Sequence, residues 1–227
     1  MPAEQMLRDS RINRIFEGSS EIMHLMITRE AVDAHLSAAG ELINPEAGRQ
    51  ERAQALRRAS RFYAKWLPTL VAGTGNLPTS YADFGPLAAH LRFVERTSRK
   101  LARSTFYGMS RWQSRLEYKQ SFLGRIVDIG AELFAMTAVC LKAEEDAGDL
   151  GRRPYELADT FCHQARRRVD ELFDRLWDNS DSHDVRLANY VLEGRYTFVE
   201  EGILDPSIEG PWIGTPSGGE NVRRKII

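Results

Sequence analysis

The chain has 227 residues, and its 31 lysines and arginines against 32 aspartates and glutamates give a formal net charge of −1 at pH 7. This balance excludes a bulk electrostatic attraction to nucleic acid or to an anionic membrane surface. A hydrophobic fraction of 42% is ordinary for a globular chain and supplies enough apolar residues for one or two domains.

Neither targeting nor membrane-spanning signals are found. No apolar core follows the first charged residues, and no apolar run reaches the length of a membrane span. Cys140 and Cys162 have no metal or redox spacing, so we expect two buried free thiols; a disulfide between them is the less favoured alternative. Together these features predict the cytoplasm, or the mitochondrial matrix in a eukaryote, as the location.

The first two predicted helices flank a turn. Residues 2–16 have the pattern of the end of a helix, and residues 20–38 predict a second helix that ends at Gly40. The apolar residues on one face of that second helix are Ile22, Leu25, Met26, Val32 and Leu36.

A carboxylate, Glu17, directly precedes the Gly-Ser-Ser sequence of this turn. Gly18 lets the chain bend sharply, and Gly18, Ser19 or Ser20 can cap the free N–H groups of the following helix. Glu21 in the first turn suits the positive end of the helix dipole. From these residues alone, the simpler interpretation is that Glu17 is a solvated turn residue and Glu21 a helix-start acid.

Five further helices are predicted, most of which begin at a proline or a capping residue. They run from Asn44 until Pro68, from Pro86 to about Arg115, from about Glu117 to Ala147, from Pro154 through Leu176, and from Ser182 to Gly194. Residues 72–85 predict a loop, and little regular structure is expected from Asp205 onward. Since no stretch alternates with period two, we predict an all-α fold built as an antiparallel helical bundle. Its core is predicted to include Leu91, Ile129, Met136, Leu157 and Val169, with Gly108 as a kink or a close-packing point.

The turn lies within a longer motif. Residues 8–22 read R-D-S-R-I-N-R-I-F-E-G-S-S-E-I, and I-T-R-E follows at residues 27–30. This segment resembles, without a gap, the C-terminal signature of the acyl-CoA dehydrogenases, R-D-x-R-I-x-x-I-[YF]-E-G-T-[SN]-[EDQ]-I. Ser19 stands where threonine is commoner in that family, and both residues carry a hydroxyl.

The resemblance implies FAD-dependent oxidation of an acyl-CoA thioester to the trans-2-enoyl-CoA. Glu17 would be the base that removes the α proton, and Gly18 the glycine that contacts the substrate. The positions that usually touch FAD in the family are Ser19, Ser20 and Glu21. A carboxylate base of this kind works in a dry apolar pocket, and we expect Ile15 and Phe16 to supply part of its wall.

A second, looser resemblance covers about residues 92–168. It includes K-x-x-F-L-x-R-I-V-D-I-G-A-E-L-F-A-M and D-T-F-C-H-Q-A, which resemble the appended helical domain of the very-long-chain acyl-CoA dehydrogenases. We therefore expect residues 1–40 to be the end of the catalytic bundle, residues 41–204 the appended domain, and residues 205–227 a flexible tail.

The position of the motif near residue 8 implies that most of the flavin site and acyl pocket would precede it. We therefore expect the C-terminal portion of a larger enzyme for long acyl chains, inactive and without FAD when alone. The implied partners are an acyl-CoA substrate, a second copy in a homodimer, and an acceptor like electron-transfer flavoprotein. Some such enzymes associate with membrane surfaces, which nothing in this sequence independently indicates. The alternative is a non-catalytic helical module for dimerisation or interaction.

Other catalytic and metal motifs are missing from the sequence. The five histidines are scattered without H-E-x-x-H or paired spacing, so we expect no metal site. Cys162 and His163 are adjacent in sequence, but neighbouring positions on a helix do not face each other, which argues against a nucleophile–base pair.

Overall fold

A computed structural model describes residues 3–16, 18–43 and 46–200 of the chain. Within these residues the fold has seven α-helices and no β-strand, which confirms the predicted all-α class. The helices are α1 Ala3–Ile12, α2 Ser20–Ile43, α3 Arg49–Thr69, α4 Ala88–Trp112, α5 Gln120–Leu150, α6 Arg153–Arg175 and α7 Asp181–Leu192. Short 3-10 helices lie at Thr74–Asn76, Ala82–Leu87, Gln113–Tyr118 and Thr197–Glu200.

The chain divides into two compact units, one ending at Trp177 and the other beginning at Asp178. The first unit contains α1 to α6. The second contains α7, which carries Asp181 and Asp184 in its first turn, where carboxylates suit the helix dipole. The predicted domain division at residues 40 and 204 stays a prediction.

The core of the first unit lies where α5 packs against α4 and α6. Ile129 and Met136 of α5 are fully buried, and Val169 of α6 packs in the same cluster, as predicted. Leu157 is 75% exposed, so its prediction as a core residue is wrong. The reason is that the buried stripe of α6 runs through Pro154, Ala158 and Cys162, and Leu157, one position from Ala158, points in a different direction.

The sequence predicted that α2 ends at Gly40, but the helix continues to Ile43. A glycine inside a helix costs only about 1 kcal/mol relative to alanine, which tertiary contacts readily offset. Here the carboxylate of Glu41 pairs with the guanidinium of Arg58 on α3, which holds the last turn of α2 in place.

The start of α3 also differs from the prediction. Asn44 and Pro45, the predicted helix start, lie outside the described residues, and α3 begins at Arg49. The backbone N–H of Gly48 donates to the carboxylate of Glu51 at 2.8 Å, so an acid three residues into the helix takes the capping role.

The buried face of α2 agrees only in part with the predicted one, since Val32 is buried as predicted but Leu36 is 46% exposed. Thr28, Val32 and His35 are buried, at 3%, 9% and 8% exposure, whereas Ile22 and Met26 are more than half exposed. Two of the buried residues are polar but have partners, since the Thr28 hydroxyl donates to a backbone carbonyl at 2.8 Å and His35 Nδ1 lies 3.2 Å from a tyrosine hydroxyl. Hydrophobicity alone therefore finds Val32 but misses the buried polar residues Thr28 and His35.

The two cysteines are buried free thiols, as predicted. Their sulfur atoms lie 3.7 Å apart, with Cys140 on α5 and Cys162 on α6, both in the core. Gly108 is a close-packing point, because a Cβ there would lie 2.7 Å from the ring of Phe122. Among the described helices, none has the length and apolarity needed to cross a membrane.

Candidate functional site

The motif segment forms the turn between α1 and α2. The backbone N–H groups of Ile15 and Phe16 donate to the carbonyl of Ile12 at 2.9 and 2.8 Å, which continues the helical path briefly. The side chains of Ile15 and Phe16 are 78% and 65% exposed. Glu17, the predicted base, lies outside the described residues.

Gly18 has a backbone conformation that favours glycine. Its φ is +113°, in the region that residues with a Cβ rarely adopt. A Cβ at this position would also lie 3.2 Å from the sulfur of Met23. The sharp bend predicted for Gly18 is therefore confirmed, and it turns the chain directly into α2.

The start of α2 is tied to the turn by backbone hydrogen bonds. The Ser20 N–H donates to the Arg14 carbonyl at 3.2 Å, and the Met23 N–H donates to the Ser19 carbonyl at 3.0 Å. Ser19 thus occupies the capping position, and it is half-buried like Gly18 and Ser20.

Groups at this helix start stabilise the ionised carboxylate of Glu21. Its own backbone N–H, and next the Ser19 hydroxyl, hold the pKa of Glu21 below its usual value, with smaller contributions from His24 and Arg14. Ser19 and Glu21 were both predicted to touch FAD, and here the Ser19 hydroxyl helps to keep Glu21 ionised. The predicted site residues that the structure describes lie together at one helix start, while their roles stay predictions.

Large apolar side chains surround this turn and are exposed. Those on α1 and on the first turns of α2, which we call the motif surface, are Met6, Leu7, Ile12, Ile22, Met23, Met26 and Ile27, with exposures from 41% to 58%. Contiguous exposed apolar surface of this kind marks a place where a protein contacts another body, whether protein, ligand or membrane.

Behind the motif surface, the opposite side of α2 meets a cluster of aromatic rings. The His35 ring has its centroid 4.6 Å from that of Trp66 and 5.3 Å from that of Phe62, and burial lowers its pKa. A neutral imidazole among apolar rings packs as part of the interface between α2 and α3. His35 therefore has a structural role, and sequence periodicity alone gave no sign of it.

The whole chain, including the motif, is similar to known proteins. No protein-family model matches the chain. Proteins of Mycobacterium tuberculosis and Mycobacterium bovis, both named "Probable acyl-CoA dehydrogenase FadE10", are 63% identical over 235 aligned positions. The alignment covers 100% of this chain and 36% of each relative. The chain is an acyl-CoA dehydrogenase homologue. It matches the C-terminal part of these relatives and spans about a third of their length.

A solved structure is also similar to this chain. It is a crystal structure of an acyl-CoA dehydrogenase complexed with FAD from Bacillus anthracis, which aligns with 83% of this chain and 29% of its own. The TM-score is 0.46 and the sequence identity is 21%.

Proposed function

We propose that this chain forms the C-terminal part of an FAD-dependent acyl-CoA dehydrogenase that acts on long-chain acyl-CoA thioesters. The observation that carries the proposal is the 63% identity, along the whole chain, to proteins that bear the acyl-CoA dehydrogenase name. The ungapped motif over residues 8–30 and the exposed motif surface around it support the same function.

The start of α2 fits part of a bound FAD. The first turn of a helix suits polar or anionic groups, because its backbone N–H groups have no partner within the helix. At α2 the Ser20 N–H is already bonded to the Arg14 carbonyl, and the Ser19 and Ser20 hydroxyls add polar groups to the same turn. Gly18 leaves open the space that a Cβ would fill next to Met23.

A bound FAD would supply the acceptor for the hydride from the β carbon of the substrate. The chain's own contribution is the base: in the proposed role, a carboxylate oxygen of Glu17 takes the α proton of the thioester. Gly18, at the bend, lets the acyl-CoA pass close to the backbone. Once covered, Ile15 and Phe16 keep water from the carboxylate, which strengthens it as a base.

By itself the chain is proposed to be inactive and to bind no FAD. Two observations support this: the chain spans 36% of its relatives' length, and its motif surface is exposed. The complete enzyme is proposed to be a homodimer that passes electrons to an acceptor like electron-transfer flavoprotein. Its location in the cytoplasm, or in the matrix of a eukaryote's mitochondria, stays a prediction from the sequence.

The test uses the complete enzyme with Glu17→Gln, and Glu30→Gln as the matched control. Glu30 is an exposed acid of α2 within the same motif of residues 8–30, so both variants lose one negative charge from the motif. We expect Glu17→Gln to retain flavin and lose turnover by roughly 10²- to 10⁴-fold, the usual size of general acid–base catalysis, with Glu30→Gln near wild type. Wild-type turnover in Glu17→Gln would reject the base. Equal losses in both variants would show that charge near the motif is what matters.

A further inference from the structure

Two histidines and an aspartate from two helices, α4 and α6, converge in the first unit. His90 lies near the start of α4, and Asp159 and His163 lie one turn apart on α6. The distance from His90 Nε2 to Asp159 Oδ1 is 2.9 Å, and from His163 Nε2 to the same oxygen it is 3.6 Å. The imidazole rings meet edge to face with their centroids 5.0 Å apart. None of these groups belongs to the motif segment.

The cluster reaches from the core to the solvent. The side chains of His90, Asp159 and His163 are 3%, 48% and 64% exposed. The buried His90 ring is therefore held in place by packing, while solvent can reach the side chains of Asp159 and His163. A cation could enter on that side and keep a water molecule.

The spacing suits a small divalent cation. One ligand atom from each residue lies within 4.8 Å of the other two. A tetrahedral Zn²⁺ with bonds of about 2.0–2.1 Å places its ligand atoms about 3.4 Å apart. The observed 2.9 and 3.6 Å lie on either side of that value, and the third pair of ligand atoms, on His90 and His163, lies within 4.8 Å.

We propose that His90, Asp159 and His163 bind Zn²⁺, with water as the fourth ligand, and that the ion fastens α6 to α4. Imidazole nitrogen and carboxylate oxygen are ligands that zinc prefers. A hydrogen bond between His90 and Asp159 accounts for those two residues alone. The convergence of His163 on the same carboxylate oxygen is what completes a three-ligand site.

The environment of His90 also determines the zinc affinity that we expect. A metal-bound imidazole usually donates its second N–H to an acceptor, and losing such a partner costs 10- to 100-fold in affinity. His90 Nδ1 is buried, and the described part of the chain gives it no hydrogen-bond partner. We therefore expect binding about 10- to 100-fold weaker than at a fully supported site of the same ligands.

The experiment compares the wild-type chain with His163→Ala and with His183→Ala. His163 is exposed, so its removal should leave the metal-free Tm unchanged; His183 is an exposed histidine of the second unit and serves as the matched control. The untagged, chelator-treated proteins are dialysed against ZnCl₂ and melted with and without it. MgCl₂ serves as the ion control.

We expect one zinc per chain in wild type and in His183→Ala, and a zinc-specific rise in Tm of about 5 °C at saturating metal. His163→Ala should lose both. With Co²⁺ in place of zinc, the absorption spectrum should lack the strong band of thiolate ligation, since Cys140 and Cys162 are not ligands. Absence of zinc binding, equal binding by His163→Ala, an equal effect of magnesium, or a thiolate spectrum would each overturn the proposal.

Discussion

Replacement of Gly18 by alanine tests whether the bend before α2 is required for function. The backbone φ of +113° costs a residue with a Cβ about 1–3 kcal/mol. The new methyl group would also approach the Met23 sulfur at 3.2 Å, but that flexible side chain can move at little cost. The equilibrium between this turn and its alternatives should therefore shift by about 5- to 150-fold against the turn, since 1.4 kcal/mol corresponds to a factor of ten.

In the complete enzyme, the apparent affinity for FAD should fall by up to that same factor, because only the chains with the turn formed can bind. The assay is titration of the flavin-free enzyme with FAD, followed by kcat/KM for an acyl-CoA. Gly40→Ala is the matched control, since Gly40 lies within α2 and a Cβ there meets nothing within 4 Å. It should leave FAD affinity unchanged. Wild-type affinity and turnover in Gly18→Ala would refute the reasoning.

Three other outcomes follow from the structure. Met136→Ala should reduce the free energy of unfolding by about 2–5 kcal/mol in a urea titration, because Met136 is fully buried, whereas Phe134→Ala on the exposed side of the same helix should change it by less than about 0.5 kcal/mol; equal effects would contradict the assigned core. Burial lowers the pKa of His35, so the folded chain binds this proton less tightly than the unfolded chain, and the stability present above the unfolded pKa declines as the pH falls below about 6.5. His35→Phe should therefore lose less stability than wild type between about pH 7 and pH 5, and an unchanged slope would contradict this assignment. The isolated 227-residue chain should show no flavin absorbance after purification and incubation with FAD, and a bound flavin would contradict its proposed dependence on further polypeptide.

Local sequence signals predicted most of the fold. Proline and glycine punctuation and the 3.6-residue period gave the helices and their order, because both reflect interactions within a few residues. The errors arose where distant contacts decided the outcome. Helix α2 continues past Gly40, where Glu41 pairs with Arg58 of α3. It buries His35 because that side chain packs against the aromatic rings of α3.

The functional residues also differ in how far the sequence could predict their proximity. Gly18, Ser19, Ser20 and Glu21 are contiguous, so a motif could place them together at a helix start. The cluster of His90 with Asp159 could not be foreseen, because these residues are 69 positions apart and meet only in the folded chain, where α4 and α6 both pack against α5. The only local signal was the spacing of four between Asp159 and His163, which on its own is common on solvated helices.

The most direct test of the central claim is anaerobic reduction of the flavin by a long-chain acyl-CoA in the complete enzyme. The account predicts that the wild-type flavin is bleached on mixing, and that the Glu17→Gln enzyme binds the same FAD and the same acyl-CoA but keeps its oxidised flavin spectrum. Bleaching of the Glu17→Gln flavin at the wild-type rate would contradict the account.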